Sequence, residues 1–133
     1  MARIARVILP AAAAACLAHA AGAAGAAGSP HRPHGGRSAA TCQIAGVEAS
    51  LGPTYVSYLQ AGGGASCAEA ERVVGSLYRC RVRHGGVSGH CQEPVEGFTC
   101  EEYRYSVVTV QYDSHVICLR GRARVRYTYT QIT

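Results

Sequence analysis

The clearest periodicity in the chain lies between Ser66 and Cys80. Cys67, Ala70, Val73, Val74, Leu77 and Tyr78 recur every three or four residues, and Glu69, Glu71, Arg72, Ser76 and Arg79 fill the opposite side. That spacing predicts an amphipathic helix. Ser66 and Glu69 form a capping box at its start. Acids early and arginines late suit the helix dipole, and the helix is predicted to end near Arg79-Cys80. Before it, residues 54–60 (TYVSYLQ) follow the turn signal Gly52-Pro53 and predict a strand that AGGGA at 61–65 breaks. After it, residues 81–84 and 87–91 flank Gly85-Gly86, predicting a short hairpin or an ordered loop. Phe98 and Cys100 alternate with Gly97, Thr99 and Glu101, residues 103–112 hold Val107, Val108 and Val110, and residues 115–119 form a compact strand. Beyond the turn at Gly121-Arg122, residues 123–132 alternate most regularly. Val125, Tyr127 and Tyr129 take one face, while Arg124, Arg126, Thr128 and Thr130 take the other. This order predicts an α+β domain, one helix packed on an antiparallel sheet of about four strands.

The first twenty residues pattern differently. Arg3 and Arg6 precede a short apolar run, VILPAAAAACLA, and Ala18-His19-Ala20 gives an A-x-A cleavage site. This predicts a secretory signal at 1–20, with an apolar run too short to span a bilayer. Cys16 after three alanines loosely resembles a lipidation site, so a lipid anchor through Cys16 is the alternative. Residues 21–40 are rich in Ala, Gly, Ser and Pro without periodicity and predict a flexible tether. Residues 41–133 form the single folded domain expected of a chain this short.

Loss of the signal leaves six cysteines: Cys42, Cys67, Cys80, Cys91, Cys100 and Cys118. An even set in a small exported domain predicts a disulfide framework and an extracellular setting. Cys80 and Cys91 bracket a glycine-rich excursion whose ends can meet, so their pairing is preferred. Cys67 with Cys118 and Cys42 with Cys100 follow as the second expectation, and the swapped pairing, Cys67 with Cys100 and Cys42 with Cys118, stays open. Zinc at Cys80, His84, His90 and Cys91 has suitable residue types, but the adjacent His90-Cys91 and the oxidising setting argue against it. No metal or other cofactor is expected.

The run Gly64-Ala-Ser-Cys67-Ala-x-Ala70-x-x-Val73-Val74, then Gly97-Phe-Thr-Cys100, then Val116-Ile-Cys118-x-x-Gly121 resembles a group of small secreted proteins from high-GC actinobacteria. The resemblance covers residues 54–130 and implies export and a helix-plus-sheet scaffold. That group carries no established activity, so it implies no catalytic residues.

Charge narrows the function only slightly. The chain has 13 basic residues, all arginine, against 8 acids, a net charge of +5; removal of Arg3 and Arg6 makes it milder. That favours solubility over a dedicated nucleic-acid surface. No nucleophile elbow, zinc-protease motif or phosphate loop occurs. A small ribonuclease needs a base, an acid and a phosphate-holding cation; His84, His90, His115, Glu93, Glu96 and the arginines supply only the types. The C-terminal strand is the candidate binding surface, through Arg122, Arg124, Arg126, Tyr127 and Tyr129, because Arg and Tyr anchor interfaces. The sequence therefore predicts a secreted, non-catalytic binding or structural module, with an envelope polymer or a secreted protein as partner. The alternatives are an inhibitor of an extracellular hydrolase acting through residues 81–90, and a small secreted hydrolase.

Overall fold

A computed structural model describes residues 38–133. The signal, most of the tether and Cys16 lie outside the described residues. Six elements follow one another: β1 (Ala40–Thr41), β2 (Tyr55–Gly62), α1 (Cys67–Arg83), β3 (Thr99–Val108), β4 (Gln111–Arg120) and β5 (Ala123–Ile132). The strands form one antiparallel sheet in the order β1-β2-β5-β4-β3. The α+β architecture stands, with five strands in place of about four. Among the described residues no helix is long and apolar enough to cross a membrane.

Ser66 caps α1 through its hydroxyl, which accepts from the Glu69 N–H at 3.2 Å. Ala70, Val73, Val74, Leu77 and Cys80 are buried against Val56, Leu59, Val116, Val125, Tyr127 and Tyr129 of the sheet. This helix-to-sheet layer is the core. Deletion of one large side chain from such a layer costs about 2–5 kcal/mol.

The helix does not stop near Arg79-Cys80 but continues to Arg83. The extra turn is held because Cys80 and Arg81 both face the sheet and are fully buried. The expected hairpin at 81–91 is thus a helical turn, a short 3-10 turn at Gly86–Ser88 and irregular chain. β2 likewise runs two residues past its predicted end, through Ala61 and Gly62, before Gly63 turns the chain. A Cβ on Gly63 would sit 1.7 Å from the Arg122 carbonyl oxygen, and its φ is +63°. Only glycine fits there without displacing the β4–β5 turn.

Three disulfides tie the domain. Cys80 pairs with Cys91, Cys42 with Cys67 and Cys100 with Cys118. The expected Cys67–Cys118 and Cys42–Cys100 bridges do not form, nor does the swapped pair Cys67–Cys100 and Cys42–Cys118. Register explains why: Cys100 lies directly opposite Cys118 on the neighbouring strand, at a Cα separation of 4.0 Å. β1 runs alongside β2, where the Cys42 N–H donates to the Leu59 carbonyl at 2.8 Å, and this brings Cys42 to the start of α1.

Candidate binding surface

α1 covers one face of the sheet. Along β4, Tyr112, Ser114, Val116 and Cys118 are buried, whereas Gln111, Asp113, His115 and Ile117 between them are half-exposed. Period-two alternation makes the second set a continuous outer face.

Cross-strand register gives that face its plan. Tyr58 of β2 lies beside Thr128, which lies beside His115, which lies beside Tyr103. One step along the strands, Tyr55, Thr130, Asp113 and Tyr105 form a second row. Each row ends in tyrosine on both sides and carries small or polar residues between. Three strand spacings separate the tyrosines of a row, about 14 Å. This two-row plan, with tyrosines at both edges and polar residues between, is called the trough; in it Thr130 Oγ1 donates to Asp113 Oδ1 at 2.6 Å. Tyr103 and Tyr55 are the most open, at 71 % and 58 % exposure. The Tyr103 and Tyr105 rings stack with centroids 6.4 Å apart. Gln60, Arg126, Ile117 and Glu101 make the next row. Arg126 Nε has no hydrogen-bond partner among the described residues.

Tyr55 and Tyr58 are three residues apart, so regular alternation would put them on opposite faces. The register shifts between Val56 and Tyr58, and this bulge turns both outward. The sequence reading missed the trough because it followed alternation along single strands. The unusual three-residue tyrosine spacing within an otherwise clear strand was the available signal.

The candidate surface read from the C-terminal strand divides in two. Arg122 and Arg124 are exposed, and Arg126 is half-buried on the outer face. Tyr127 and Tyr129 are only 1 % exposed and belong to the core under α1. They alternate with the arginines, so one surface never held both sets. Arg120 also faces the helix side. Its guanidinium pairs with Glu69, donates to the Glu96 carbonyl at 3.1 Å and lies 4.3 Å over the Phe98 ring.

Tyr129 joins a buried polar network. Arg81 Nη1 donates to the Tyr112 hydroxyl at 2.6 Å and to the Tyr129 hydroxyl, and it lies 3.6 Å from Glu102. Tyr129 donates in turn to Glu102, and Arg104 Nε donates to the same carboxylate at 2.7 Å. Burial pushes the Glu102 carboxyl up, but hydrogen bonds from Arg104 and Tyr129 and the charges of Arg81 and Arg104 outweigh it; the group stays below the usual carboxylate range. Burial pushes the Tyr127 and Tyr129 hydroxyls well above the usual phenol range. Arg104 also donates to the Ser88 and Gly89 carbonyls, at 2.7 and 2.5 Å. The network therefore fastens the loop after α1 to the sheet.

That loop lines a cavity of about 690 Å³ with His84, Gly85, Ser88, Gly89, His90, Gln92 and Glu93. Glu93 accepts from Arg83 at 2.6 Å and lies 3.8 Å from His84 Nε2, all three being half-exposed or more. Cys80, Cys91 and Glu93 have the spacing of metal ligands, but both sulfurs are spent in the disulfide. His115, another candidate acid or base, sits in the trough floor instead, on the sheet's outer face. No protein-family model, curated protein or solved structure matches the chain.

Proposed function

We propose that the chain is an exported, non-catalytic binding module that holds an envelope glycan in the tyrosine-walled trough. The carrying observation is the pair of rows Tyr58-Thr128-His115-Tyr103 and Tyr55-Thr130-Asp113-Tyr105. Flat tyrosine faces suit the apolar faces of sugar rings, and they give large contact area at low entropic cost. The Thr, His and Asp side chains between them suit the sugar hydroxyls. Export is supported by the three disulfides, which persist in oxidising compartments, and by the signal pattern at 1–20. It also accords with the resemblance to small secreted actinobacterial proteins. The test is co-sedimentation with insoluble envelope glycan. Tyr58→Ala with Tyr103→Ala should weaken binding at least about tenfold, a loss of roughly 1.4 kcal/mol, with an unchanged melting temperature. Undiminished binding by the double variant, or none by the parent protein, defeats the proposal.

One observation favours a second reading, a small hydrolase of phosphodiesters. The cavity beside α1 gathers His84, His90 and Glu93, with Arg83 next to them. RNA cleavage abolished by both His84→Ala and Glu93→Gln would establish it. Cleavage that is absent from the parent, or unaffected by both changes, would dismiss it.

A further inference from the structure

β3 is an edge strand ten residues long, and its outer side has no strand beside it among the described residues. Sheet edges in monomers are usually blunted by shortness, proline, charged side chains or a bulge. The opposite edge follows this rule, with a two-residue β1 and a bulge in β2. From Thr99 to Tyr105, β3 has neither proline nor bulge, and of its three charges Glu102 and Arg104 are spent in the buried network; its irregularity begins at Ser106, whose φ is +51°. The strand also exposes Tyr103, Tyr105 and Val107.

Register identifies the free backbone groups. Cys100 and Cys118 face each other at 4.0 Å between Cα atoms, the close approach of a non-hydrogen-bonded antiparallel pair. Glu102 and Arg104 share that parity, so their N–H and C=O groups point away from β4. Tyr103 has the other parity and turns its carbonyl toward β4, where it also accepts from the Ser114 hydroxyl at 3.1 Å.

We infer that β3 pairs with β3 of a second copy about a twofold axis at Tyr103. In that register Glu102 faces Arg104 of the second copy, and Arg104 faces its Glu102. These two hydrogen-bonded pairs supply about four backbone hydrogen bonds. Glu102 and Arg104 of one copy come beside Arg104 and Glu102 of the other while each keeps the partners it has within its own chain, and Tyr103 meets Tyr103 as a close pair. The contact is isologous, so it closes at two copies. The two outer faces become one, with Tyr103 and Tyr105 of both copies in its middle. The dimer stands apart from the glycan reading, since its test reads mass and cross-linking without a ligand.

Analytical ultracentrifugation of the protein should show mass rising with concentration toward twice the monomer. Tyr103→Lys places like charges on the axis and should weaken the dimer at least about tenfold while the fold persists, because this side chain is 71 % exposed. Tyr103→Cys should cross-link to a dimer under mild oxidation, with the native bridges verified by peptide mapping. Glu101→Cys should not, because the two copies of that residue lie about 14 Å apart in this register. A monomer at concentrations up to about 1 mM, an unchanged dimer in Tyr103→Lys, or equal cross-linking of both cysteine variants overturns the inference.

Discussion

Arg81 is the residue whose replacement separates packing from charge in this core. It is 1 % exposed, donates to two tyrosine hydroxyls and lies with its guanidinium 4.6 Å over the Tyr129 ring. Its Nε has no partner among the described residues, so part of its desolvation goes uncompensated. Arg81→Ala removes two hydrogen bonds to a charged group, each worth about 1.5–3 kcal/mol, and opens a cavity. Relief from burying the guanidinium offsets most of the hydrogen-bond loss, as it does for any apolar replacement, so the cavity leaves a cost of about 3 kcal/mol. Arg81→Met keeps most of the volume. Its former partners are not stranded: Glu102 keeps Arg104 at 2.7 Å, the Tyr112 hydroxyl keeps the Val87 carbonyl at 2.8 Å, and Tyr129 keeps Glu102. The Met variant should therefore fall within about 1 kcal/mol of the parent. Urea unfolding followed by tyrosine near-ultraviolet dichroism measures both. With a slope near 1–1.5 kcal/mol per molar, the Ala midpoint drops by about 2–3 M and the Met midpoint by less than about 1 M. If Met costs as much as Ala, the positive charge itself holds the core and the packing reasoning is refuted.

Acid should destabilise the fold through Glu102. Its folded pKa lies below the ordinary 4.5, so its contribution is complete above that value and drains away as pH falls through the lowered one. Melting temperature should decline over that range, and Glu102→Gln should flatten the decline; an equally steep decline in the variant contradicts this. At the alkaline end the raised Tyr127 and Tyr129 hydroxyls act with the opposite sign, so stability should fall as pH rises above the ordinary phenol value of 10.0. A melting temperature flat beyond that value would show that these hydroxyls ionise without unfolding. Gly63→Ala should cost at least about 2 kcal/mol, because the Arg122 carbonyl stands where the methyl must go. A midpoint unchanged from the parent would show that the turn yields freely.

The helix, its capping box and the alternation of β5 were legible because each is a local signal. Ser66 caps α1, and Val125, Tyr127 and Tyr129 share one face. What escaped the sequence was decided between elements. Arg81 carries a charge and breaks the apolar pattern, so the sequence placed it past the helix end, in the expected hairpin or loop. Only Glu102, Tyr112 and Tyr129, distant in the chain, make its burial tolerable. The Cys100–Cys118 bridge depends on the register of β3 against β4, which no spacing of cysteines reveals. The trough was hidden for a related reason, since its tyrosines come from β2 and β3, the two strands that flank the central pair from opposite sides.

The bulge at Ser57 absorbs one extra residue of β2 while the faces on either side of it stay fixed. Val56 and Tyr58 pair with Tyr129 and Thr128, which are adjacent in β5, so deleting Ser57 would close the bulge and keep Tyr55 and Tyr58 outward. The aromatic wall on that side would survive the loss of a residue. Libraries that vary only side-chain identity would never sample this shorter strand; those that remove single residues reach it in one step.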